Sequence, residues 1–149
     1  MRAVAQRVNS ARVEVDGEVV GSIERGLLVY LGAAPEDDDA TVKTMANKLA
    51  GLRIFEDDEG RMSRSVEDID GAVLVVPQFT LFGDVRRGRR PSFEKAAAPG
   101  LARQLYERVI EALRQRGLVV QTGRFRAQMQ VHSVVAGPVT ILIDTTKLF

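Results

Sequence analysis

Leu27–Ala33 reads LLVYLGA, an apolar run with no polar alternation. A strand of this kind is covered on both faces, so the rest of the chain has to supply layers around it. Ala72–Val76 is a second such strand. Before them, Arg2–Asn9 alternates with period two. Val13–Val15 and Val19–Ile23 then flank Asp16-Gly17, a hairpin signal because a tight primed turn needs positive φ at both central residues. The covering layer is supplied by helices. Asp38 or Asp39 is placed to cap one that runs to about Arg53, with Val42, Met45, Ala46, Leu49 and Leu52 on one stripe. A second runs from Pro99 to about Arg116, with Leu101, Leu105, Val109, Ala112 and Leu113 inward and Gly117 as its stop. Further strands are expected at Leu118–Thr122, Met129–Val135 and Val139–Asp144. The expectation is a single α/β domain over 1–149. Its sheet is mixed and mostly antiparallel, or a partly open barrel, with two main helices.

Composition narrows the chemistry. There is no cysteine, which removes disulfides, thiolate nucleophiles and Cys-ligated metals. The N-terminus lacks a signal-peptide core, and no stretch reaches membrane-spanning length, so a cytoplasmic address is expected. His132 is the sole histidine, and one imidazole cannot make a triad or a metal cluster. Ser63, Ser65 and Ser133 lack a nucleophile-elbow context. No phosphate-cradling glycine signature follows any strand. An enzyme built from this chain must work through positioning and backbone dipoles, or borrow a group from its substrate. No metal or organic cofactor is expected.

Two segments suit that requirement. Val76-Pro77-Gln78-Phe79-Thr80-Leu81 ends a strand at a proline, which cannot donate a ladder hydrogen bond. Amides released at such an end can form an oxyanion hole, although an ordinary strand-to-loop junction reads the same way. Ala136-Gly137-Pro138-Val139-Thr140 lies between two expected strands, where a tight turn is the plain reading. X-Pro bonds tolerate cis at a cost of about 0.5–1 kcal/mol. A cis Gly-Pro would present two successive carbonyls as a rigid acceptor pair.

Taken in order, these fragments resemble the D-aminoacyl-tRNA deacylase family over essentially the whole chain. The resemblance is carried by Met1-Arg2-Ala3-Val4-Ala5-Gln6-Arg7-Val8, Leu52-Arg53-Ile54-Phe55-Glu56-Asp57, Gln78-Phe79-Thr80-Leu81, Gly88-Arg89-Arg90-Pro91-Ser92-Phe93, Thr122-Gly123-Arg124-Phe125, Met129-Gln130-Val131 and Gly137-Pro138-Val139-Thr140. It implies a homodimer with its sites at the subunit interface, and hydrolysis of D-aminoacyl esters, with glycyl esters hard to reject. In that reading the Gly137 and Pro138 carbonyls, inserted from one subunit into the other, hold the substrate amine and crowd out an L side chain. Gln78, Phe79 and Thr80 bind the ester carbonyl and its oxyanion. Arg7 braces the Gly-Pro segment, and Met129 and Phe125 line the pocket. A hydroxyl of the terminal ribose assists the attack; Thr80 is a nucleophile only on paper, because nothing near it in sequence would activate it.

Net charge is only +1, but Arg86, Arg87, Arg89 and Arg90 cluster around Gly88. They suit tRNA phosphates, or equally a solvated loop. The acidic runs Glu36–Asp39 and Glu56–Glu59 read as solvated turns or helix starts. The chain departs from the family pattern at Pro77 (usually Ser), Val135-Ala136 (usually Asn-Asp), Ser63 (usually Asn) and Arg126 (usually Gly). These changes keep two alternatives open, a deacylase acting on a small L-residue and a catalytically silent tRNA-binding paralogue. Retention of Phe79, Val139 and Thr140 favours a cis Gly137-Pro138 bond.

Overall fold

Both faces of the apolar strands are covered, one by helices and the other by the curl of the sheet itself. The computed structural model describes residues 1–148. The strands are β1 (Arg2–Val15), β2 (Glu18–Ile23), β3 (Gly26–Gly32), β4 (Phe55–Glu56), β5 (Met62–Arg64), β6 (Ala72–Pro77), β7 (Val119–Thr122) and β8 (Gln130–Asp144). The helices are α1 (Asp39–Gly51) and α2 (Pro99–Gln115), with a 3₁₀ turn at Phe79–Phe82. Six strands form one sheet in the order β2-β1-β3-β6-β7, with β8 on the other edge of β1; β4 and β5 make a small separate hairpin.

The sheet is antiparallel around β1 and parallel from β3 through β6 to β7. β1 pairs with β3 over Arg2–Val8 and with β2 over Ala11–Val15, while β8 runs along its opposite edge. The sheet curls until β2 comes up against β7. A Cβ at Gly21 would run into the Thr122 carbonyl, so this near-closure requires glycine.

Alternation along β3 and β6 sorts their side chains into two cores. Leu27, Val29, Leu31, Val73 and Val75 pack beneath Met45, Leu49, Leu105, Val109 and Leu113 of the helices. Leu28, Leu74 and Val76 turn inward with Val8, Ala11, Val13 and Ile23. Each fully buried Leu or Val contributes about 1.5–3 kcal/mol relative to exposure. β1 serves both cores: Ala3 and Ala5 belong to the first, and Val8, Ala11 and Val13 to the second. Its register with β8 slips between Gln6 and Val8 and again between Val8 and Ser10.

Local signals are met closely. Asp16 and Gly17 both have positive φ, 51° and 79°. Asp38 caps α1 through the Thr41 amide in a capping box, and Gly117 follows α2 at φ 90°. Tyr106 and Ile110 are buried on α2 beyond the expected stripe, whereas Leu101 and Ala112 are only half-buried. The acidic run Glu36–Asp39 is not wholly solvated. Asp37 is nearly buried and accepts from the Met1 amino group at 2.6 Å and from the Ala34 amide at 2.7 Å.

The last two expected strands are one. β8 continues through Gly137-Pro138, so the segment is a bulge within a strand and not a turn between strands. Gln6 pairs with Thr140 and Val8 with Val135, leaving Ala136–Val139 opposite Arg7 alone. An outsized bulge re-aims the chain without ending the ladder, because antiparallel pairing resumes on the far side. Among the described residues, no helix is long and apolar enough to cross a membrane.

Candidate functional site

β6 ends where the chain tightens into the 3₁₀ turn, and a cavity of about 540 Å³ opens beside it. One wall is Val76–Thr80; the other is the 125–129 segment leading into β8; Met1, Leu31 and Tyr106 close the interior. Phe125 and Met129 line the cavity, as expected. Gly32 lets the turn approach β3, since a Cβ there would lie 2.8 Å from the Gln78 carbonyl. A Cβ at Gly123 would lie 2.8 Å from the Met129 sulfur, so that glycine sets the other wall. Arg2 clamps the turn from outside. Its Nη1 donates to the Leu81 carbonyl at 3.1 Å, its Nε to Asp144 at 2.8 Å, and its guanidinium covers the Phe82 ring.

The turn sorts its amides. The Gln78 N–H is spent on the Leu31 carbonyl at 2.8 Å, and the Leu81 N–H on the Gln78 carbonyl. Among the described residues the Phe79 and Thr80 amides have no acceptor, as the first donors of a helical turn do not. Of the three residues expected to bind an oxyanion, two therefore offer main-chain donors. Gln78 offers its side-chain amide, which donates to the Thr80 hydroxyl. Phe79 is 56% exposed and packs edge-on against Phe93 at 5.1 Å.

Among the described residues, none that lines the cavity is a carboxylate or an imidazole. The Tyr106 hydroxyl donates to the Val75 carbonyl at 2.8 Å, and burial pushes its pKa well above the ordinary phenol value. The Thr80 hydroxyl thus has no base beside it. His132 lies elsewhere, 3.5 Å from Glu14 and outside this cavity. Ser63 donates to Asp57 at 2.8 Å within the β4–β5 hairpin, the first cause holding that carboxyl below its usual range. No group of acidic or histidine side chains among the described residues has metal-site geometry.

The remaining candidates form a second cluster that does not line the cavity. Gly137 and Pro138 are exposed on the β8 bulge, their peptide bond is cis, and Gly137 has φ 119°. Arg7 is largely buried beneath them. Its Nε donates to the Ala136 carbonyl at 3.2 Å and its Nη1 to the Ile54 carbonyl at 2.7 Å, with Glu56 at 3.8 Å. Within one chain, then, Gln78–Thr80, Phe125 and Met129 come together, and Arg7, Gly137 and Pro138 come together apart from them.

The arginine cluster is the tip of a loop closed by reciprocal main-chain bonds between Asp84 and Ser92. Arg86 folds back onto Asp84 and holds that carboxyl far below its usual range. Arg87, Arg89 and Arg90 are exposed and make no ion pair among the described residues. Sequence reasoning missed Met1, Tyr106 and Arg2 as builders of the pocket. The apolar step from Leu105 and Val109 to Tyr106 on α2 was the available clue.

The fold is shared with solved structures. One titled "c-Myc DNA Unwinding Element Binding Protein" superposes with a TM-score of 0.92 and 40% identity, over 97% of this chain and 99% of that one. Another, "Structural Analysis of a probable eukaryotic D-amino acid tRNA deacylase", reaches 0.82 over 95% and 97% at 21% identity, a likeness of fold alone. Among curated proteins, the D-aminoacyl-tRNA deacylase of Thermotoga petrophila is 57% identical with full coverage of both chains. That of Symbiobacterium thermophilum is 58% identical over 100% of this chain and 99% of its own. Residues 4–144 match the family described as D-Tyr-tRNA(Tyr) deacylase, and the chain belongs to that family.

Proposed function

We propose that this protein hydrolyses the ester of D-aminoacyl-tRNA, releasing the D-amino acid and tRNA, with glycyl-tRNA as a secondary substrate. The observation that carries the reading is the pair of unspent amides at Phe79 and Thr80 in a cavity without a base. Such donors stabilise charge as it develops on an ester carbonyl, and removing one from an oxyanion hole costs about 10²–10³ in rate. The attack itself then relies on a hydroxyl of the terminal ribose, placed by Gln78 and the Thr80 segment, with Thr80 Oγ1 serving as a contact and not as nucleophile. Phe125 and Met129 pack the apolar floor.

Chiral rejection is assigned to Gly137 and Pro138. An exposed bulge braced from below by Arg7 suits insertion into another copy's cavity better than service to its own. The working unit in this reading is a cytoplasmic homodimer with sites at the interface, and Arg87, Arg89 and Arg90 face tRNA phosphates. The test incubates purified protein with D-Tyr-tRNA, L-Tyr-tRNA, L-Ala-tRNA and Gly-tRNA, with sedimentation run in parallel. Rapid loss of the D-ester with the L-ester spared, by a dimer, is the expected result. Turnover of L-Ala-tRNA instead would overturn the chirality assignment, and a monomer would overturn the shared site.

A further inference from the structure

The turn Arg124–Ala127, closed by the Ala127 amide on the Arg124 carbonyl at 3.2 Å, forms part of the cavity wall. Arg126 occupies its third position with φ 63°, a left-handed conformation that glycine adopts freely and a long side chain adopts at a cost. Nothing among the described residues offsets that cost. Arg126 is exposed and forms no hydrogen bond or ion pair among the described residues. Among the described residues, no acidic one lines the cavity to engage its guanidinium. A strained residue that lines a pocket and lacks an internal partner points to a ligand as the group it serves.

Resting on the deacylase reading, we propose that Arg126 is a substrate-binding residue that grips the phosphodiester 5′ to the terminal adenosine. Phe79 and Thr80, whose amides are unspent, line the same cavity as Arg126. With the ester carbonyl seated on those amides, that phosphodiester is the nearest anion a tRNA substrate brings. A guanidinium fork matches its two free oxygens.

The test compares wild type, R126G and R126K on D-Tyr-tRNA and on D-tyrosyl-adenosine, the same ester without a phosphate. R126G is expected to raise KM for the tRNA about tenfold, as loss of a charge-assisted contact does, with kcat nearly unchanged. It should also flatten the dependence of log(kcat/KM) on log salt by about 0.7–0.9, and leave D-tyrosyl-adenosine unaffected. R126K should keep the salt slope with an intermediate KM. R126G should melt about 2–4 °C higher through relief at the turn, which separates binding loss from misfolding. An active wild type with an unchanged R126G overturns the proposal alone, as does an equal loss on both substrates, which would place Arg126 on the aminoacyl or adenosine moiety. Inactivity of wild type on D-Tyr-tRNA overturns the deacylase reading and this proposal with it.

Discussion

The end of β6 and the middle of β8 use one device to opposite effect. Each breaks a strand beside a proline, and each frees main-chain groups that a regular ladder would consume. At Gln78–Thr80 the break is concave and leaves unspent donors, the Phe79 and Thr80 amides, on residues that line a cavity. At Ala136–Val139 the break is convex, without ladder partners, and carries Gly137 and Pro138 into solvent. The first is completed by its own chain through Gly32, Arg2 and Tyr106. The second is braced from below by Arg7 and covered by nothing of its own. A socket and a plug that cannot meet within one chain are what a site shared between two copies requires, and this is the physical basis of the proposed homodimer.

The largest test removes a donor from the socket. Phe79→Pro deletes one amide while suiting the first position of a helical turn, since Gln78 before it already lies outside the helical region at φ −144° and ψ 79°. A loss of about 10²–10³ in single-turnover rate is expected, well beyond that of the side-chain control Phe79→Ala. Equal losses in the two would remove the amide from the mechanism.

Gly137→Ala attacks the plug. The new Cβ would stand 2.9 Å from the Arg7 guanidinium and 2.9 Å from Val139 Cγ2, at a φ alanine rarely adopts. A shift of about 1 Å in a positioned group costs about 10²-fold, so kcat/KM for the D-ester should fall by that order, alongside a melting temperature lower by about 2–4 °C for each kcal/mol of strain. Full activity would show that the bulge does not touch substrate.

Asp144→Asn loosens the socket alone. Burial alone would raise the Asp144 pKa, but bonds from Thr146 and Arg2 outweigh it and hold the carboxyl below its ordinary range. A depressed carboxylate stabilises the fold above its unfolded pKa and loses that contribution as pH falls through the folded one. The substitution should cost about 2 kcal/mol near neutrality, shrinking toward acid pH, as read from urea midpoints. A cost independent of pH would mean that the charge is irrelevant.

Thr80→Val is the smallest. Loss of one neutral hydrogen bond is worth about 1 kcal/mol, or about fivefold in rate, because the amide stays. A collapse of several orders of magnitude would restore Thr80 as the nucleophile.

Legibility in the sequence followed how local the signal was. Asp16-Gly17, Asp38 and Gly117 depend on their own backbone and were placed correctly. The Gly137-Pro138 dipeptide alone favours a turn between two strands, because Gly-Pro punctuates a chain locally while its place here, a bulge inside one strand, depends on β1, far away in sequence. A trace did exist: the buried positions of β1 step from Ala5 to Val8 to Ala11, breaking period two opposite the bulge. The pocket walls were half visible. Gln78–Thr80, Phe125 and Met129 were named from motif resemblance, whereas Met1, Tyr106 and Arg2 join the site only through packing that no spacing announces. The division of labour among the three amides of the turn needed the Leu31 carbonyl, a partner across the sheet.

The lining of the cavity carries a further implication. On the proposed mechanism, a chamber whose described lining holds neither carboxylate nor imidazole is inert toward any ester that does not arrive with its own hydroxyl neighbour. Simple esters of D-tyrosine should survive long exposure to the protein, so its restraint among the many other acyl compounds of a cell would follow from what the chamber lacks.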